Sequence, residues 1–178
     1  MYITQGTLKL MKYISHIKTT SILGKMLRLS EETIKLELGM SGNLFDIPYK
    51  TSHFLATDSW IKNLWKFLND HNIHLQDHAP PFDTINNNDK FLMDIFTGSH
   101  LPRRDLIILN KCRKYLNVLT IGDIITGDGK HILKSIKHGQ PPTCITSKMH
   151  WPNQGDPGAA AWSTWRRALK QHYYSNLL

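Results

Sequence analysis

Residues 105–130, DLIILNKCRKYLNVLTIGDIITGDGK, decide how this chain is read. The stretch opens as the most regular amphipathic segment in the sequence. It passes through a short apolar run and ends in the turn Gly127-Asp128-Gly129. With about 100° per residue, Leu106, Leu109, Cys112 and Leu116 share one face of a helix that Pro102 is suited to begin. Ile108 and Tyr115 flank that face. Arg103, Arg104, Lys111 and Lys114 fall within about 100° of arc on the opposite side. Solvent faces of helices ordinarily mix signs, so four cations with no acid among them point to an anionic partner, phosphate first.

The charge is segregated along the chain. Residues 1–99 carry ten Lys/Arg and ten Asp/Glu, whereas residues 100–178 carry twelve against four, so the whole excess of +8 lies in the second part. With a pI near 9.5, this favours nucleic acid as partner over a basic surface kept for solubility. At 40% hydrophobic residues the chain can bury a core. No run approaches 18 uninterrupted apolar residues, which excludes an apolar membrane-spanning helix, and no secretory signal is visible. Cys112 and Cys144 form neither a disulfide framework nor a zinc pattern. With a reducing compartment they imply an intracellular location, cytoplasm or nucleus.

Outward from the central helix, the pattern predicts a mainly α, irregular multi-helix domain with long loops and one small β-hairpin near 121–136. Three short helices are expected at the start. The first has Leu10, Met11, Ile14 and Ile17 at helical spacing. The second is capped from Thr19-Thr20-Ser21 and runs to about Leu29. The third is capped by Ser30 and ends at Gly39. Residues 1–39 then read as a helical piece, the tail of a larger upstream domain, and residues 40–178 as a basic helical domain. Residues 40–57 read as an ordered loop. A helix at 59–70, capped by Asp58 or Thr57, buries Trp60, Ile61, Leu64, Trp65 and Leu68. A short helix capped by Asn88 or Asp89 runs to Phe96. Asp156 caps a last helix at 157–173, with Trp162, Trp165, Leu169 and Tyr173 on its apolar face and Arg166, Arg167 and Lys170 on one side.

Several sharper readings fail on spacing. His71, His74 and His78 have no Cys or acidic partner at a recognised offset, so no metal ligand set is expected. Gly122 and Gly127 are not followed by Lys-Ser or Lys-Thr, so the Gly-Asp-Gly segment is a turn and not a phosphate-binding loop. No histidine is arranged with a nucleophile, and neither a catalytic residue nor a cofactor is expected. A helix-turn-helix from 89–96 and 102–116 would put base-reading cations at the start of its second helix, yet here they run along all of it.

Taken in order, several pieces resemble the connector between the reverse transcriptase and ribonuclease H domains of retrotransposon-type polyproteins. They are Leu-Glu-Leu-Gly at 36–39, the Trp-Ile-x-x-Leu-Trp-x-Phe helix at 60–67 and the Asp-x-x-x-Met pattern at 89–93. The Leu-Asn-x-Cys-Arg-x-Tyr-Leu helix at 109–116 follows, with Asp123-Ile124 and Asp128-Gly129 after it. Last are Trp-Pro-x-Gln at 151–154 and Trp-x-x-Trp-Arg at 162–166. The resemblance spans about residues 30–175. It implies a segment without either active site, which contacts the template–primer duplex or connects to ribonuclease H. No Tyr-x-Asp-Asp and no four-carboxylate set is found.

The combined expectation is a non-catalytic nucleic-acid-binding module, taking an RNA/DNA duplex or DNA, with flanking polymerase and ribonuclease H domains as partners and no membrane. Its candidate phosphate contacts are Arg103, Arg104, Lys111, Lys114, Arg166, Arg167 and Lys170, with Lys130 and Lys134 behind them. Two other readings stand beside it: a scaffold module whose tryptophans dock flanking domains, and a relic open reading frame without function.

Overall fold

Apolar stripes at helical spacing build two separate helical units in the computed structural model, which describes residues 9, 21–74, 89–141 and 155–175, with side chains as far as 172. The first unit holds residues 21–38 and 42–74; the second holds 39–41, 89–141 and 155–175. The architecture is mainly helical, as the sequence pattern predicts, with seven α-helices and no sheet or barrel among the described residues. The expected boundary fell after residue 39. The observed grouping instead keeps residues 42–74 with the N-terminal helix.

In the first unit, α1 (Ile22–Leu38) is one continuous helix where two were expected. Ser21 caps it, its Oγ accepting the Gly24 N–H at 3.1 Å. Ser30 does not start a new helix. Its hydroxyl donates back to the Met26 carbonyl at 2.8 Å, and Thr33 donates likewise to Leu29, so both are satisfied inside the helix. Residues 40–57 are three short helical pieces: a 3₁₀ turn at Leu44–Asp46, α2 (Tyr49–Ser52) and a second 3₁₀ turn at His53–Leu55. Leu44, Phe45, Ile47 and Leu55 are buried beneath them. α3 (Trp60–Asp70) is capped by Ser59, not by Asp58 or Thr57. Asp58 instead pairs with Lys62 Nζ at 2.8 Å. Ile61, Leu64, Trp65 and Leu68 are core, and the Trp65 indole donates to the Ile47 carbonyl at 2.8 Å. Trp60, expected in the same stripe, is half exposed. Lys35 is fully buried in α1, and burial pulls its pKa down against the opposing charges of Glu31 and Glu32.

The second unit contains α4 (Leu92–Gly98), α5 (Arg103–Leu116), α6 (Lys134–Lys137) and α7 (Ala159–Ser175). Phe91, Leu92, Met93 and Phe96 of the α4 region are buried. Asp89 does not cap that helix; its carboxylate accepts the Gly122 N–H at 3.0 Å. The expected hairpin within 121–136 is reduced to one antiparallel bridge, Ile125 to Ile132, closed by Thr126 and His131. Gly129 takes the left-handed turn position at φ +73°. α7 starts later than Asp156 and Pro157 suggest, because Gly158 sits at φ +89°, outside helical geometry. The first expected helix (Leu10 to Ile17), His78, Asn88, Cys144, the 151–154 motif and the Tyr173 side chain lie outside the described residues.

Candidate nucleic-acid interface

α5 and α7 form an antiparallel pair. The start of α7 meets the end of α5: Cys112 Sγ lies 3.8 Å from the Ala161 carbonyl, and Tyr115 and Trp162 meet edge to face. The far part of α7 meets the start of α5, where Arg167 reaches Asp105 at 2.9 Å, and Ser99 just ahead of α5 bonds His172 at 3.0 Å. Leu106, Leu109, Cys112 and Leu116 are buried together with Trp162, Trp165, Ala168 and Leu169. Burial, with the Asp156 charge as a smaller cause, pushes the Cys112 thiol up to about 12, so it packs as an inert side chain.

This packing sorts the candidate cations. Arg103, Arg104, Lys111, Lys130, Lys134, Arg166, Arg167 and Lys170 are exposed, and Lys114 is partly so. The Asp105–Arg167 ion pair brings Arg103 and Arg104 to the same end of the helix pair as Arg166, Arg167 and Lys170. Lys111 and Lys114 lie toward the opposite end. There the side-chain-free face of Gly139 rests on the Trp162 ring, which places α6 and Lys134 at that end too. Lys130 is set apart in the turn beyond the 125–132 bridge.

Three features escape the sequence reading. Asp105 neutralises part of Arg167, so the second basic edge is not free of acid. Lys137 is exposed and three residues from Lys134, a spacing that already put both on one side of a helix. Arg113 belongs to no surface: it is fully buried, with Nε and Nη2 donating to Asn110 Oδ1 at 3.0 and 2.8 Å. Its position, four after Leu109 and three before Leu116, marks it as a core-facing residue.

Among the described residues no group of three or more His, Cys, Asp or Glu side chains converges to hold a metal ion. His71 stacks on Phe67, and His74 lies 3.5 Å from Asp46. No helix among them is long and apolar enough to cross a membrane.

His172 supplies a pH prediction. Burial lowers its pKa, so the folded state holds this proton less readily than the unfolded chain. Stability is therefore complete above the ordinary imidazole range and falls as pH drops through it. Urea midpoints should decline from pH 7.5 to 5.5, and His172→Gln should decline less steeply than the parent chain.

Compared with known proteins, the chain matches no family, no curated protein and no solved structure.

Proposed function

We propose that the second unit is a non-catalytic nucleic-acid-binding module that grips phosphates without reading sequence, acting intracellularly as the connector of a reverse transcriptase polyprotein. The observation that carries this reading is the antiparallel α5–α7 pair, whose solvent sides display Arg103, Arg104, Lys111, Arg166 and Lys170 over an apolar seam. A rigid pair of helices holds such cations at fixed spacing, as a regular phosphate backbone requires. The scaffold reading needs accessible tryptophans. Trp65, Trp162 and Trp165 are buried, and Trp60 alone among the described tryptophans is exposed.

Binding to a short RNA–DNA duplex should fall steeply with salt, by roughly 10³-fold or more between about 50 and 200 mM if six or more phosphates are contacted. Replacing Arg103, Lys111 and Lys114 together by Gln should reduce the salt slope by about 3, roughly one per cation. Asp105→Asn should raise affinity, since it releases Arg167 and removes the acid beside it. Fluorescence anisotropy across a salt series measures all three. An affinity that stays flat with salt overturns the reading, and binding of a protein partner that survives the triple Gln variant would favour the scaffold.

A further inference from the structure

The buried side of α1 is settled: Ile34, Leu38, Glu31 and Lys35 face into the first unit, where α1 packs against α3 and the Leu44–Asp46 turn. The opposite side is apolar as well. Ile22 is 78% exposed, Met26 58% and Leu29 64%, with exposed Thr33 and partly exposed Leu36 continuing the line. Soluble surfaces scatter single apolar residues; a line of them along one helix marks an interaction face. The positions 22, 26, 29, 33 and 36 are separated by 4, 3, 4 and 3 residues. This is the repeat of a two-helix seam, and a merely amphipathic helix would place this stripe toward its own core.

The flanks of the seam identify the occupant. Lys25 and Glu32 lie seven residues apart on one flank, at equivalent positions of the repeat. Exposed Leu23, with Ser30 and Glu37, occupies the other flank, and the Glu37 carboxylate is held by the Thr57 N–H and hydroxyl. In a parallel pair of identical helices, unlike flanks face each other, which sets Glu32 against the partner copy's Glu37. In an antiparallel pair, like flanks face with their order reversed, which sets Lys25 against the partner copy's Glu32, twice by symmetry. The charges fit one arrangement and oppose the other.

We propose that α1 is a self-association surface through which two copies of this chain pair antiparallel along Ile22, Met26, Leu29, Thr33 and Leu36, with the two-fold axis beside Leu29. The helix has 17 residues, about 25 Å of length. A seam this short stays below the standard size of stable interfaces, so the dimer is weak and concentration-dependent.

Sedimentation velocity of the full chain over a concentration series tests this. The expected result is a monomer–dimer equilibrium. Lys25→Glu and Glu32→Lys should each abolish it by placing like charges across the seam, and the double exchange should restore it. That rescue distinguishes a contact between copies from a structural role within one. Orientation is read by oxidation in a Cys144→Ser background. Leu29→Cys should give a disulfide-linked dimer, whereas Ile22→Cys should not, since position 22 lies about 21 Å from its copy in the antiparallel pair. A monomer at every concentration overturns the proposal, including the case where Met26→Asp destabilises that monomer because the seam is already covered within one chain. A dimer that survives Lys25→Glu, or that links through position 22, overturns it too. None of these outcomes depends on nucleic acid.

Discussion

Arg113→Ala should lower the stability of the second unit by about 3–5 kcal/mol, the range for truncating a large buried side chain whose polar partners stay behind. The residue has no exposed surface, and burial draws its pKa down to about 9, which leaves the guanidinium protonated at neutral pH. Its cost is offset by its partners. Two of its nitrogens share Asn110 Oδ1 within the same helix, and Nη1 points at the Val118 carbonyl 3.5 Å away, just past the helix end. Gly39 is built around it: a Cβ there would stand 2.5 Å from the guanidinium carbon. Removing the side chain takes these donors away from the Asn110 and Val118 oxygens and opens a void against Gly39. Arg113→Lys should also destabilise, by about 1–3 kcal/mol, because an ammonium on a flexible stem cannot span the same acceptors with a planar fork. Thermal unfolding followed by circular dichroism should place the Ala variant roughly 6–20 °C below the parent. A shift of a degree or two would mean that the buried charge costs as much as its hydrogen bonds return.

Arg113 also shows where the sequence is legible and where it is not. Periodicity alone locates the core side of α5, and Leu106, Leu109, Cys112 and Leu116 are all buried. The same periodicity puts Arg113 on that side, but a charge scale counts it with the solvent-facing cations. The pairing with Asn110 three residues earlier helps to make its burial tolerable, and side-chain pairing is not visible in a spacing pattern. The run at 109–116 owes five of its residues to this buried side: Leu109, Asn110, Cys112, Arg113 and Leu116.

Local chemistry misleads at Ser30, where a good capping residue sits inside a helix. Its hydroxyl is already satisfied by the preceding turn, and Glu31 behind it is drawn into the first unit's interior. Trp60 fails for the opposite reason. Its place at the first position of α3 belongs to the apolar stripe, yet it lies at the helix end, where the core runs out. The surface cations of α5 and α7 were readable because a basic edge needs only helical spacing. Their grouping at two ends of an antiparallel pair was not, because it depends on Asp105 reaching Arg167, a partner 62 residues away. The sequence pattern places α6 in half of a hairpin. Its four residues follow a single bridge, and a tertiary contact at its end fixes its position.

That contact gives the second large effect. Gly139→Ala should destabilise the second unit by about 2–5 kcal/mol, from two separable causes. Gly139 lies at φ +71°, where an L side chain costs about 1–2 kcal/mol. An added Cβ would also fall 2.6 Å from two ring atoms of Trp162, and overpacking of this kind adds about 1–3 kcal/mol. The indole has little room to yield. Its Nε1 donates to Asp156 at 2.7 Å, and its ring meets Tyr115 edge to face. The Gly158 N–H and that indole hold the Asp156 carboxyl below the usual carboxylate range, so the anchor stays ionised and keeps accepting. Gly129→Ala is the internal control: it shares the left-handed backbone at φ +73°, but nothing stands within 4 Å of its Cβ position. It should cost about 1–2 kcal/mol, the backbone cause alone. Urea unfolding of the two variants side by side isolates the clash as the difference between them. Equal losses would show that Trp162 moves freely out of the way. If the difference appears, Gly139 is what seats α6, and with it Lys134 and Lys137, at the α5–α7 pair. Under the phosphate-binding reading, Gly139→Ala should then also weaken duplex binding in conditions where the unit is still folded, an effect absent from Gly129→Ala.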